Sequence, residues 1–506
     1  MLRERAALRV PSGWAGSAAE PGCAITIRGS NKVTLMADNR SEHLNRLLRD
    51  DPHSRQRPVR LRTLALGLTT ALALSVMFAP LTLALTIEEA VSQAVNSNPA
   101  VLSAGASARA SVFDLRRARG GYYPTLDFDA GYGPEDTNSK QLKLAGNDRG
   151  TMDRRETGLT ARQLLWDGFA TRSEVERRVA LLNAADYSLS DTREAIAFRA
   201  AESFLDVIRA RELVALAHDN VASHEKMLGN VKAKSDSGVG NRADVEQAVA
   251  RLALARSVLT TRESALRESV ARYERVIGSP PDELATPARQ ASGLVAADGV
   301  VGAELESAIS NGMGQALDGH PAVLQSQAEA EAAAAEIRAA KAAYQPTVNL
   351  EGRMRRDDNI SGVDGTRNST AIMVVAQWNL FRGGSDQAAE MAAVERKSAA
   401  TELVDDTKRA VAENVAIAYQ ARAFSEARIK DLEQYVGASQ ATLESYRAQF
   451  ELSRRSLLDL LNAENELFNA RSNLVSGEFE DLVNQYFVEA SKGQLTSSLG
   501  VSASGP

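Results

Sequence analysis

Cysteine is nearly absent from this chain. Cys23 is the only one in 506 residues, which excludes a disulfide framework and any cysteine-ligated metal cluster. Histidine is sparse as well: His43, His53, His218, His224 and His320. His218 and His224 stand six apart, out of step with the spacing that stacks a pair on one helix face, so both read as solvated helix residues. Aromatics make up 5% of the chain, and Gly 34 and Pro 14 are too few for a collagen-like or low-complexity polymer. No Gly-x4-Gly-Lys-Ser/Thr loop is present, and no nucleophile–base constellation stands out. No enzyme activity, cofactor or metal is expected. A basic surplus is lacking too. Twelve of the 59 Lys and Arg and six of the 65 Asp and Glu fall in residues 1–84, so the remainder is net −12. Nucleic acid is not an expected partner.

Long apolar runs are also missing, with one exception. Arg55, Arg57, Arg60 and Arg62 precede an apolar stretch from Leu64 to Leu85 that ends in small residues. Charged region, apolar core and small-residue end are the order of a secretory signal. Cleavage after Ala84 is expected, with Met36 as a candidate start of translation. The alternative is a single membrane-spanning helix, since the run is long enough to cross a bilayer. No later stretch is, so any integral contact of residues 85–506 with a membrane must be made by strands.

What the chain does have is an internal repeat. Asn98-Pro99-Ala100-Val101 returns as His320-Pro321-Ala322-Val323, and Ala118–Tyr132 returns as Ala340–Met354. Leu165-Trp166-Asp167-Gly168 returns as Leu380-Phe381-Arg382-Gly383, and Asp244 and Ala248 as Asp459 and Ala463. Each copy reads helix, two strands, long helix, tip, helix.

In the strand over Thr125–Tyr132, Leu126, Phe128, Ala130 and Tyr132 share one face, and Thr125, Asp127 and Asp129 the other. The second copy sets Val348, Leu350 and Met354 against Thr347, Asn349, Glu351 and Arg353. Such period-two alternation predicts strands. Their partners are expected over 157–166 and 369–381, across polar loops at 134–154 and 358–367. Ile372, Val374, Ala376 and Trp378 then alternate with Met373, Val375 and Gln377. This pattern fits a half-buried soluble sheet or transmembrane strands; the export signal favours the second. Phe128, Leu350, Val374 and Trp378 would then face lipid. Four strands cannot close a barrel, and an open edge cannot sit in lipid, so chains would have to share one.

Residues 172–234 and 387–450 contain no proline, and each predicts one helix of roughly 95 Å at about 1.5 Å per residue. Val245, Leu252, Leu259 and Leu266 recur every seventh residue, as do Leu460, Leu467 and Leu474. A strict heptad marks coiled-coil packing, and helices of this length must lie side by side. The turns between them are Ser235–Asn241 and Glu451–Ser456.

With these features in this order, the chain resembles the TolC-like family of outer membrane efflux and type I secretion proteins. The carriers are Leu85-Thr-Ile-Glu-Glu-Ala with Asn98-Pro99, the Ala118-Arg-Gly-Gly-Tyr-Tyr-Pro-Thr-Leu strand entry and the Leu165-Trp-Asp-Gly exit. The tip motifs Asp244-Val-Glu-Gln-Ala and Leu458-Asp-Leu-Leu-Asn-Ala complete the set. The resemblance implies a mainly α protein with β: helical hairpins forming a periplasmic tunnel, and four transmembrane strands per chain in a shared twelve-stranded trimeric barrel. On that frame residues 1–84 are extension and signal, 85–290 the first repeat, 291–304 a linker, 305–495 the second repeat and 496–506 a tail. The implied partners are two further copies of the chain, outer membrane lipid, a periplasmic adaptor and an inner-membrane transporter. The implied role is the exit duct of type I protein secretion. The alternative is the duct of a multidrug pump; such ducts often carry a lipidated cysteine after the signal, and none follows here. A non-channel coiled-coil scaffold is the remote alternative. The resemblance also implies a gate at the tips. Asp459 would form an acidic ring, Asn462 departs from a second acidic position, and Asp244 and Arg455 would join the two hairpins. Phe450 stands where a polar tip partner would serve.

Overall fold

The computed structural model describes residues 84–501 apart from 139, 145–149, 296–303 and 453. Cys23, His43, His53, Met36 and the signal region before Ala84 lie outside the described residues, as do most of the expected linker and the last five residues of the tail.

The first repeat opens with α1 (Ile87–Ser97). Thr86 caps it: its hydroxyl accepts the Glu89 N–H while the Glu89 carboxylate accepts the Thr86 N–H, at 3.3 and 3.1 Å. The Thr-x-x-Glu of the opening motif is thus a reciprocal helix cap. The next helix, α2 (Pro99–Gly120), is capped by Asn98, whose side chain accepts the Ala100 N–H at 2.9 Å. Strand β1 (Thr125–Thr137), short helix α3 (Lys140–Leu144) and β2 (Gly150–Trp166) follow. Then come the 67-residue α4 (Ala170–Asp236) and the returning α5 (Arg242–Ile277).

The second repeat has the same order: α6 (Glu304–Gly319), α7 (Pro321–Lys341), β3 (Thr347–Asp358), β4 (Thr366–Gln377), α8 (Ser385–Glu451) and α9 (Leu457–Ser491), closed by α10 (Leu495–Ser498). Here His320 replaces Asn98 as the cap of the Pro-led helix, its Nδ1 accepting the Ala322 N–H at 3.1 Å.

Helices α4 and α8, at 67 residues each, are about 100 Å long. Each pairs with its returning helix, and α4 also lies against α2, α7 and α9. The main core gathers where these helices pass α1: Ile87, Val91, Phe204, Leu205, Tyr273, Ile277, Phe479 and Tyr486 are buried there. A second cluster ties both hairpins together near the tips, through Met227 and Val231 of α4, Leu443 of α8 and Leu457, Leu460, Leu461 and Leu467 of α9. The heptad residues Leu252, Leu460 and Leu467 are buried as their period predicts. The start of the tail is anchored as well: the buried Glu194 carboxylate accepts the Leu495 N–H at 2.8 Å and the Thr496 N–H at 3.2 Å.

The strands form one antiparallel sheet in the order β1-β2-β3-β4. They depart from the expected bounds in two ways. First, β1, β2 and β4 run further outward, to Thr137, from Gly150 and from Thr366, through residues expected to be loop. Pro134 lies in this outer part of β1, opposite Asp153, and withdraws one backbone donor near the strand end. The polar ends are held by an ion pair of Arg154 with Glu135 at 3.4 Å. Second, β4 stops at Gln377 rather than Phe381. Its partner begins at Thr347, which pairs with Gln377, after Pro346 and a turn of 3-10 helix at Ala342–Tyr344. Beyond Gln377 there is no partner strand, and Trp378 instead donates its indole N–H to the Tyr344 carbonyl at 3.1 Å.

Candidate functional site: sheet faces and helical tips

Register sorts the sheet into two chemically opposite faces. Phe128 lies opposite Leu159, which lies opposite Met354; Leu126 opposite Ala161; Leu350 opposite Val374. Directly paired residues point the same way, so these side chains, with Tyr132 and Ile372, make one apolar face. Phe128 is 71% exposed and Val374 65%, which leaves a broad apolar surface uncovered within the chain. Leu350 belongs to it, and Trp378 lies just past its edge.

The opposite face carries charge. Arg162 pairs with Glu351 directly across the β2–β3 ladder at 2.9 Å. Arg355 reaches Asp357 at 3.3 Å, Glu156 at 3.5 Å and Asp129 at 4.0 Å. Gly158 makes this packing possible: a Cβ there would meet the Asp129 carboxylate at 2.5 Å. Charged groups are costly to take out of water, whereas the middle of the other face is apolar and turns polar only toward its outer end, at Arg155, Arg356 and Asp358.

At the helix end of every strand stand exposed aromatics. Tyr122 and Tyr123 precede β1, Trp166 ends β2 and Phe169 follows it, Tyr344 precedes β3, and Trp378 and Phe381 follow β4. An apolar band bounded by an aromatic girdle is the surface of a membrane β-barrel. Both strand-to-helix exits use left-handed backbone, at Gly168 and Phe169 (φ 66° and 68°) and at Gly383 and Gly384 (φ 63° and 84°). Among the described residues no helix is long and apolar enough to cross a membrane.

At the far ends of the helices lie the expected gate residues. Asp459 sits in the first turn of α9. Its carboxylate accepts the Ser456 hydroxyl at 2.8 Å, and its N–H donates back to that oxygen at 3.2 Å. Arg455 lies 3.9 Å from Asp459 and stacks on the Tyr446 ring at 4.0 Å. Within the chain, therefore, Arg455 is held in its own hairpin and does not meet Asp244, which occupies the first turn of α5. Other residues join the hairpins. Arg251 of α5 donates to the Asn462 side-chain oxygen at 3.1 Å, and the Lys234 ammonium sits 4.4 Å from the centre of the Phe450 ring. Asp459 and Asn462 together line a groove of about 420 Å³ with Tyr435, Tyr446 and Glu466.

Buried polar groups that no sequence pattern marks lie near this groove. His224 is 5% exposed and not the solvated residue expected. It faces Glu464 of α9 and Arg251 of α5; burial pushes its imidazole pKa down, with Glu464 opposing. Glu464 is itself buried and accepts from Arg447 of α8 at 2.6 Å. Of the other described histidines, His218 is exposed, 3.9 Å from Glu263, and His320 is the partly buried cap. Higher up, Arg422 of α8 forms a buried ion pair with Asp481 of α9 and also donates to the Asp481 and Gln290 carbonyls. Ser425 adds a hydrogen bond to the Asp481 carboxylate at 2.9 Å.

A sheet with a lipid-compatible face and a charged face, continued by helices about 100 Å long, defines an outer-membrane channel subunit with its helices in the periplasm. The family model for "Outer membrane efflux protein" matches residues 90–279 and 312–480, one segment in each repeat. The chain belongs to that family. It is 25% identical to the outer membrane efflux protein BepC of Brucella suis biovar 1, over 81% of this chain and 86% of that one. It is 26% identical to the protein CyaE of Bordetella pertussis, over 76% and 79%. Proteases secretion protein PrtF of Dickeya chrysanthemi is 23% identical, over 83% and 90%. Two solved structures share the fold. A membrane protein from Pseudomonas aeruginosa superposes with a TM-score of 0.70 at 18% identity, covering 80% of this chain and 93% of that one. The outer membrane protein VceC of Vibrio cholerae gives 0.68 at 18%, covering 81% and 96%.

Proposed function

We propose that the chain is the exit duct of a type I protein secretion system. It works as a homotrimer with a periplasmic adaptor and an inner-membrane transporter. The observation that carries the shared conduit is the sheet: its faces are apolar and charged, and β1 and β4 have no outer neighbour. Lipid tolerates no unpaired strand edge, so β4 of one copy pairs with β1 of the next, and three copies give the twelve strands of the resembling family. The charged face then lines the water-filled lumen, and the helices carry that lumen across the periplasm.

Protein cargo is favoured by the relatives named for secretion, the protease secretion proteins PrtF and AprF among them. It is also favoured by the lack of any cysteine after the apolar run. BepC, named for efflux, supports the second reading, a small-molecule efflux duct. Deleting the gene and measuring both secreted protein and drug susceptibility separates the two. Loss of a secreted protein at unchanged susceptibility is the expected result; raised susceptibility with a full set of secreted proteins would transfer the chain to efflux. Cross-linking in isolated outer membranes tests the trimer.

A further inference from the structure

A cavity of about 570 Å³ opens where the two central strands meet the helices. Its upper wall is Trp166, the last residue of β2, in T-shaped contact with Phe169 at 4.6 Å between ring centres. Its lower wall is charged: Arg172 and Glu176 from the start of α4, Arg338 and Lys341 from the end of α7.

Register places this cavity. Trp166 pairs with Val348, two residues from Leu350, so it continues the apolar face rather than the charged one. The cavity lies below β2 and β3, whereas closure of a shared barrel uses β1 and β4. Neighbouring copies therefore do not cover it. The girdle aromatics put it at the level where acyl chains end and headgroups begin.

Its charges are arranged rather than scattered. Glu176 accepts from Arg172 Nε at 3.0 Å and from Arg338 Nη2 at 2.9 Å. The carboxylate thereby fixes two guanidiniums side by side: it also accepts from Arg338 Nε at 3.2 Å, and Arg338 Nη1 donates to the Ala334 carbonyl at 3.4 Å, so three of the five Arg338 N–H groups are engaged and two remain. Lys341 is 59% exposed and its nearest anion, Glu390, is 3.8 Å away. Two guanidiniums thus share one bridging carboxylate, with the Lys341 ammonium beside them and an aromatic wall above.

We infer that this cavity is a binding site for the headgroup of a glycerophospholipid of the periplasmic leaflet. Arg338 and Lys341 hold its phosphate, and Trp166 and Phe169 pack against the first carbons of its acyl chains. The chemistry suits this occupant because phosphate accepts in the plane in which guanidinium donates, and only a lipid presents phosphate and hydrocarbon together. The inference rests on the lipid-facing assignment of the apolar sheet face.

The test uses the full-length assembly in dodecylmaltoside micelles, titrated with dioleoyl phosphatidylethanolamine and read by native mass spectrometry as lipids bound per chain. Wild type should retain lipid. The Arg338→Gln, Lys341→Gln double variant should bind about tenfold more weakly or worse, as expected for the loss of charge-assisted hydrogen bonds. Wild type should take diolein, which lacks the phosphate, equally weakly, and that comparison needs no variant to fold. Equal binding by variant and wild type, or of diolein and phospholipid, would overturn the site. Displacement of the lipid by equimolar inorganic phosphate would overturn it in favour of a free-anion site. The parent assignment has its own readout: brominated acyl chains should quench Trp378 in a Trp166→Phe background. Unquenched Trp378 would show that the sheet face, not the headgroup site, was misassigned.

Discussion

At the scale of single residues, Asp481 is a carboxylate sealed inside the helical bundle between Arg422 and, 3.9 Å from its second oxygen, Arg289. Its side chain is fully buried, one oxygen has no hydrogen-bond partner, and Arg422 opposite is 4% exposed. Removing one member of such a pair strands the other charge in a dry interior and costs about 3–5 kcal/mol. Asp481→Ala should therefore lower the urea midpoint of the assembled protein sharply. The double change Arg422→Met with Asp481→Leu should recover most of the loss; a double variant as unstable as the single one would refute the ion-pair account. The position was legible in the sequence in one sense. Asp481 is the next seventh residue after Leu460, Leu467 and Leu474, but a search for apolar periodicity passes over a carboxylate. Its partner is invisible from the sequence, because only the pairing of α8 with α9 brings Arg422 and Ser425 to it. Gly168 is a second sharp case. It has φ 66°, and a Cβ would meet Gln345 Cβ at 2.5 Å, whereas the matching Gly383, at φ 63°, has open space around it. Both alanine variants pay for left-handed backbone, about 1–3 kcal/mol, but only Gly168→Ala also collides with the other repeat. Heat-induced dissociation of the oligomer should occur at a lower temperature for Gly168→Ala than for Gly383→Ala, and equal temperatures would remove the steric argument.

At the scale of elements, the doubled architecture lets one copy serve as a control for the other. Asn98 and His320 cap equivalent helices, but only the histidine titrates. Burial pushes the His320 pKa down, with Asp191 opposing, and Nδ1 must be unprotonated to accept the Ala322 N–H. The unfolded chain binds this proton more readily than the folded one. Stability from this group is thus fully present above the usual histidine pKa of about 6.5 and is lost as pH falls toward the lower folded value. His320→Asn, copying the first repeat, should keep the cap and reduce the drop in melting temperature between neutral and mildly acidic buffer; an undiminished drop would place the titration elsewhere. The sheet offers a similar neighbour test. Val374 is on the apolar face and Val375 on the charged one, and an arginine at the bilayer midplane costs about 2–4 kcal/mol. Val374→Arg should cut assembly in the outer membrane, and Val375→Arg should not; equal effects would sink the face assignment. These faces were readable because the side-chain period is two and survives any error in strand length. Strand ends were not. Where the pattern turned polar, at Glu135 or Arg154, ion pairs across the ladder prolonged the strands, and where it stayed apolar, at Trp378 to Phe381, the missing partner ended one.

At the scale of the whole molecule, the open edges of the sheet and the tips of the hairpins belong to one argument. If β1 and β4 close a barrel around an axis, each helical tip is brought to that axis once per copy. Three Asp459 carboxylates would then share the narrow end, repelling one another and attracting cations. Within the chain Asp459 is partly neutralised by Arg455 and accepts a hydrogen bond from Ser456, so Arg455→Ser should strengthen cation selectivity rather than free the hairpin. Besides the apolar cluster of Met227 and Val231 with Leu457 and Leu461, the two hairpins are joined by the Arg251–Asn462 hydrogen bond and the Lys234–Phe450 contact, neither of which sequence spacing alone could pair. Movement of the second hairpin past the first must break both. In planar bilayers, Asp459→Ala should weaken cation selectivity and block by trivalent cations at unchanged conductance. Arg251→Ala with Phe450→Ala should instead raise conductance while selectivity is kept. These outcomes separate the charge at the constriction from the latch that closes it. If the Asp459 variant keeps full selectivity and the latch variant keeps wild-type conductance, the gate lies elsewhere along the tunnel.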